Sequence, residues 1–139
     1  MASDTRADSR NQTFDDFTTP LPVKPGETLV LGIVGGWERW DNPARAVRRT
    51  AIAIKRREFV GVWVETVENH KLDLAERLIR EAFDFNGDGK LGEEEAKQAR
   101  VVLFGQSRGG RAALRLARTL SGWGVGGRWV GIVDGSGKE

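Results

Sequence analysis

The sequence predicts an α/β fold: a four-stranded, mainly parallel sheet flanked by helices. Three observations carry that prediction. Apolar, β-branched runs recur at Thr28–Val34, Phe59–Val64, Val101–Phe104 and Trp129–Val133, each the length of a strand buried on both faces. Amphipathic stretches with apolar residues three and four apart separate the runs, and that is helical spacing. Strands alternating with helices are joined by right-handed crossovers, which lay the strands parallel.

Taken in order, residues 1–27 are polar and then punctuated by Pro20, Pro22 and Pro25. They read as a flexible N-terminal arm with Phe14, Phe17 and Leu21 available to dock on the body. Residues 28–139 form the domain. After the first strand, Gly35-Gly36 breaks the run. Pro43 sits where helices begin, and Ala44–Arg57 follows with Val47, Ala51 and Ile54 on one face. His70–Phe83 is a second helix whose inner face carries Leu72, Ala75, Leu78, Ile79 and Phe83. A Gly/Asp loop leads to a short acidic helix near 93–99. The third main helix runs from Gly109 to Leu120. The last strand is apolar and unprotected at its outer edge, which invites pairing with another copy. A homodimer or a strand-exchanged oligomer is expected.

At 139 residues the chain has enough length for a single core. It has no cysteine, which excludes disulfides, thiolate chemistry and Cys-ligated zinc. The formal charge of +2 is too small to argue for nucleic acid. The first residues lack the apolar core of a signal peptide, and no run reaches membrane-spanning length. The expectation is a cytoplasmic protein with no membrane or nucleic-acid partner.

Residues 101–120 read VVLFGQSRGGRAALRLARTL. A strand run ends in Gly105-Gln106-Ser107-Arg108-Gly109, and a helical pattern starts at once. A serine at such a turn sits in strained backbone, with small residues two before and two after it. Its hydroxyl stands at the carboxyl end of the sheet, where open α/β sheets place their sites. The Arg108 N–H points to the same spot from the positive end of a helix. A second donor is expected from the loop beginning Gly35-Gly36-Trp37. The same five-residue pattern also occurs as a plain tight turn in a Gly-rich chain.

On these residues the chain resembles the α/β-hydrolase family over roughly residues 28–134. The resemblance implies Ser107 as the nucleophile, with oxyanion donors from the Arg108 amide and from the Gly36 or Trp37 amide. It implies Asp134, just past the fourth strand, as the acid. Members carry two further strands, with a histidine after the last. No histidine follows Ser107 here, so the chain reads as a truncated member, a partial α/β-hydrolase fold. His70 is the single histidine. It follows the second strand, so it also lies at the carboxyl end of the sheet, and it is the candidate base. As a helix-start residue it could equally cap or face water.

Residues 84–95 read DFNGDGKLGEEE. Asp84, Asn86 and Asp88 occupy positions 1, 3 and 5 of a twelve-residue loop, with Gly89 at 6, the Lys90 carbonyl at 7 and Glu95 at 12. Alternating oxygen ligands, a glycine for the sharp turn and a distal bidentate Glu suit a hard cation. The spacing fits an EF-hand-like helix–loop–helix insertion, and Ca²⁺ is the expected cofactor. The alternative is an acidic surface loop that binds nothing.

Arg108, Arg111, Arg115 and Arg118 form one helical stripe, the ordinary pattern of a solvated face. The leading expectation is a serine hydrolase acting on small activated esters, carboxylesterase-like and promiscuous toward phosphotriesters. Two rivals stand beside it: a non-catalytic, calcium-stabilised interaction module, and a metal-dependent hydrolase in which Ser107 is incidental.

Overall fold

β1 (Thr28–Val34) is the centre of the fold, and six of its seven residues are buried. It pairs in parallel with β2 (Val62–Glu68), from Thr28 opposite Val62 to Val34 opposite Glu68. On its other side it pairs in parallel with β3 (Val101–Gly105), from Leu29 opposite Val101 to Ile33 opposite Gly105. The computed structural model describes residues 11–126 and 130–132. Within them a short segment, β4 (Val130–Ile132), runs parallel along the outer side of β3, so the strand order is β2-β1-β3-β4.

The alternation of side chains along β1 divides the core. Val30 and Val34 face α1 (Ala46–Arg56) and pack with Val47, Ala51, Val64 and Phe104. Leu29, Leu31 and Ile33 face the opposite layer. There they meet α2 (Leu72–Ala82) through Ala75, Leu78, Ile79 and Ala82, and α4 (Arg108–Gly122) through Ala112, Ala113, Leu116 and Leu120. The short α3 (Glu93–Gln98) adds Ala96 to that second cluster. Fully burying one such aliphatic side chain is worth ~1.5–3 kcal/mol, so the two clusters hold the sheet between its helices.

Two boundaries differ from the sequence reading. The second strand was expected at Phe59–Val64, but Phe59 and Val60 form an exposed turn, with Val60 99% accessible. Gly61, at φ 74°, turns the chain into the strand. The strand then continues through Glu65-Thr66-Val67-Glu68, all buried. Polar residues persist there because each finds partners. Glu65 Oε2 accepts the N–H groups of Thr18 and Thr19 and the Thr19 hydroxyl, at 2.8, 2.8 and 2.6 Å.

Those contacts dock residues 11–27 on the body. Gln12 is buried, donating from Nε2 to the Thr66 carbonyl (2.9 Å) and accepting the Glu68 N–H (3.1 Å). Its side-chain amide thereby stands in for a neighbouring strand along the outer edge of β2. Val23 is buried, and Phe14 and Phe17 pack against the larger cluster. Leu21 stays 37% exposed. No helix among the described residues is long and apolar enough to cross a membrane.

Candidate functional site

The carboxyl ends of β1, β2 and β3 bring three loops together. At the end of β3 the chain turns sharply into α4. Ser107 is a non-glycine residue in a conformation that L-residues rarely adopt, φ 56° and ψ −121°. The turn is tight because the packing beneath it is close. A Cβ on Gly105 would strike the Gly109 carbonyl and lie 2.7 Å from the Gly110 nitrogen, and one on Gly109 would land on the Ile33 carbonyl oxygen. Glycine two before and two after the serine is therefore a steric requirement of helix-on-sheet contact.

Ser107 and Arg108 are both exposed, whereas Gly105 and Gly109 are buried. The Ser107 side chain makes no capping hydrogen bond to its helix. Its backbone carbonyl accepts from Gly110 (2.9 Å) and Arg111 (3.2 Å), and the Gln106 carbonyl accepts from Gly109 (2.8 Å). The Arg108 N–H belongs to the first turn of a fifteen-residue helix and has no acceptor among the described residues. It carries the positive end of the helix dipole.

Beside the serine lies the turn after β1. A Cβ on Gly35 would sit 3.4 Å from Ser107 Cβ and 2.5 Å from the Gln106 carbonyl oxygen, so only glycine lets this turn approach the elbow. Gly36 has φ 55°. The Gly35 carbonyl accepts the Glu38 N–H at 3.0 Å, closing the turn. Trp37, at its tip, is 83% exposed. Trp40 is half-buried beneath the Arg48 guanidinium, 5.7 Å from the ring centre.

His70 stands just past the end of β2, half-exposed. Its Nε2 lies 3.4 Å from Glu68 Oε1, and its ring centre lies 5.7 Å from that of Trp37. Glu68 is buried, and its Oε2 accepts the Trp40 N–H at 3.2 Å. β2 is separated from β3 by β1, so His70 and Ser107 spring from strands about 10 Å apart. No hydrogen bond joins them among the described residues. The structure thus brings His70 to Trp37 and Glu68, and Ser107 to Gly35 and Arg108, on either side of one turn. Asp134 lies outside the described residues.

Two residues at this site were missed by the sequence reading. Glu68 is the last residue of β2, two before His70; the signal was hidden by ending β2 too early. Asn69 donates from Nδ2 to the carbonyls of Val34 (3.2 Å) and Gly36 (2.6 Å), a cross-strand role that no local motif announces.

The acidic loop lies between α2 and α3, and α3 leads on into β3. One carboxylate oxygen each from Asp84, Asp88 and Glu95 lies within 4.8 Å of the others. Asp84 Oδ1 accepts from Gly87 (3.1 Å) and Asp88 (3.2 Å), and its Oδ2 accepts from Gly89 (2.8 Å). Asn86 Oδ1 accepts the Asp88 N–H, and Asp88 Oδ1 accepts the Lys90 N–H. Glu95 is buried, receiving Asn86 N–H at 3.0 Å and Gly92 N–H at 2.8 Å. Backbone amides point inward at carboxylates that would otherwise repel one another. No protein-family model, curated protein or solved structure matches the chain.

Proposed function

We propose that this protein is a serine hydrolase of small activated esters, built as an α/β-hydrolase-like domain around a four-stranded sheet. The observation that carries the reading is Ser107: a serine at φ 56° and ψ −121°, exposed between a parallel strand and a helix N-terminus. Backbone of this kind costs ~1–3 kcal/mol, and a plain turn gains nothing from it. Ser107 Oγ attacks the acyl carbon. The Arg108 amide and an amide of the Gly36-Trp37 turn cradle the oxygen that becomes negative. The leaving alkoxide or phenolate departs, and water hydrolyses the acyl-enzyme. His70, held beside Glu68, takes the serine proton directly or through water. Asp134 keeps its place as a candidate acid by resemblance alone. An open oxyanion site also accommodates phosphotriesters.

The loop of Asp84, Asn86, Asp88, Lys90 and Glu95 is proposed to hold Ca²⁺. The donor set is all oxygen, three of its members are carboxylates that converge, and hard cations prefer such sets. Bound there, the ion would fasten α2 to α3 and supply no chemistry to the ester.

Turnover of p-nitrophenyl acetate tests the reading in wild type, Ser107→Ala, His70→Ala and EDTA-treated protein. The expected result is loss of turnover in Ser107→Ala, a partial loss in His70→Ala, and retention with EDTA at a temperature where the protein stays folded. Loss with EDTA alone, with Ser107→Ala active, would favour metal-dependent hydrolysis. Absence of turnover in every sample would leave the calcium-stabilised interaction module.

A further inference from the structure

We infer that Asn69 is a positioning residue that aims the Trp37 amide, rather than the Gly36 amide, at the oxyanion; this rests on the serine-hydrolase reading. The argument is stereochemical. In a trans peptide the C=O and the following N–H point in opposite directions. The Gly36 carbonyl and the Trp37 N–H belong to one peptide plane, so whatever fixes the carbonyl fixes the amide. Asn69 Nδ2 holds the Gly36 carbonyl at 2.6 Å, the shorter of its two bonds. Asn69 follows β2 directly, and β2 lies on one side of β1 while β3, with Ser107, lies on the other. A carbonyl drawn toward β2 turns its partner N–H toward the serine side. The Trp37 N–H has no acceptor among the described residues, so it is free to receive charge.

The neighbouring plane is fixed differently. The Gly35 carbonyl is engaged by the Glu38 N–H within the turn, so the orientation of the Gly36 amide follows from the turn and not from Asn69. The second Asn69 bond, to the Val34 carbonyl at 3.2 Å, anchors the side chain to the end of β1. One amide group thus ties the oxyanion turn to β1 and holds it in register with Ser107, whose Cβ lies 3.4 Å from where a Cβ on Gly35 would sit. A turn on a loop of glycines has little stiffness of its own, and an oxyanion donor is worth most when it needs no reorganisation at the moment of reaction.

The test uses Asn69→Asp, which keeps the shape but removes both donors, and Asn69→Ala. With p-nitrophenyl acetate, each is expected to lower kcat by about 100-fold, the scale of losing one oxyanion donor, with KM little changed. A purely structural role would lower the folded fraction and leave kcat per folded molecule intact. As a measurement that needs no variant, a boronic acid bound to wild-type Ser107 is expected to shift the Trp37 amide proton downfield in ¹⁵N-edited spectra. Unchanged kcat in both variants alongside an inactive Ser107→Ala, or a shifted Gly36 amide with Trp37 unmoved, would overturn the inference and leave the hydrolase standing. Turnover that survives in Ser107→Ala would instead remove the hydrolase reading beneath it.

Discussion

Ser107 combines strain with exposure, and its strain can be measured apart from any chemistry. Glycine adopts positive φ without a steric penalty, so Ser107→Gly should stabilise the fold by ~1 kcal/mol or more while removing the hydroxyl. Thermal or urea denaturation checks this, and a less stable variant would contradict the strained turn. Gly109→Ala works in the opposite direction. Its Cβ would meet the Ile33 carbonyl, backbone that cannot step aside, so a loss of ~1–3 kcal/mol is expected. Elsewhere, Glu27 is a partly exposed carboxyl whose pKa lies below its ordinary value of 4.5, chiefly because Trp63 Nε1 donates to it and also because the Lys24 N–H does. A depressed pKa contributes stability above the unfolded value and loses it as pH falls through the folded one. Wild type should therefore lose stability more steeply below about pH 4.5 than Glu27→Gln does, as followed by melting temperature. At this scale the elbow was legible in the sequence, because Gly105, Ser107 and Gly109 are set by one local turn. Glu68 and Asn69 were not, because their partners, Trp40, Val34 and Gly36, lie far away in the chain.

At the scale of elements, β1, β3 and the three long helices could be read from apolar spacing, while β2 could not be bounded. The run Phe59-Val60-Gly61-Val62-Trp63-Val64 looks like a strand, yet its first residues are an exposed turn. The more polar Glu65–Glu68 is the buried part. Composition misleads there because the strand edge is satisfied from the N-terminal segment, through Gln12, Thr18 and Thr19. Gln12→Ala strips the partners from the Thr66 carbonyl and the Glu68 N–H, and a cost of ~1–3 kcal/mol is expected, measured by chemical denaturation. The acidic loop gives a prediction of its own. Saturating Ca²⁺ should raise the melting temperature, and Asp84→Ala with Glu95→Ala should abolish the rise. No shift in wild type would remove the ion from the account.

Across the whole molecule, a parallel sheet with flanking helices follows from alternating strands and helices, and that much was legible from the pattern alone. The two sides of the sheet are unequally dressed. α1 covers one face, while α2, α3 and α4 share the cluster on the other. What sequence could not supply is the tie across the expected turn beside Ser107: Asn69 holds the carbonyls of Val34 and Gly36. Assembly through the outer edge remains a proposal, with a homodimer expected by light scattering at micromolar concentration.

Covalent capture is the most direct test of a reactive hydroxyl at position 107. The protein is treated with an alkyl fluorophosphonate and mapped by peptide mass spectrometry. The account predicts one phosphonyl adduct, on Ser107, absent from Ser107→Ala. An unmodified chain, or an adduct that persists in Ser107→Ala, would contradict it.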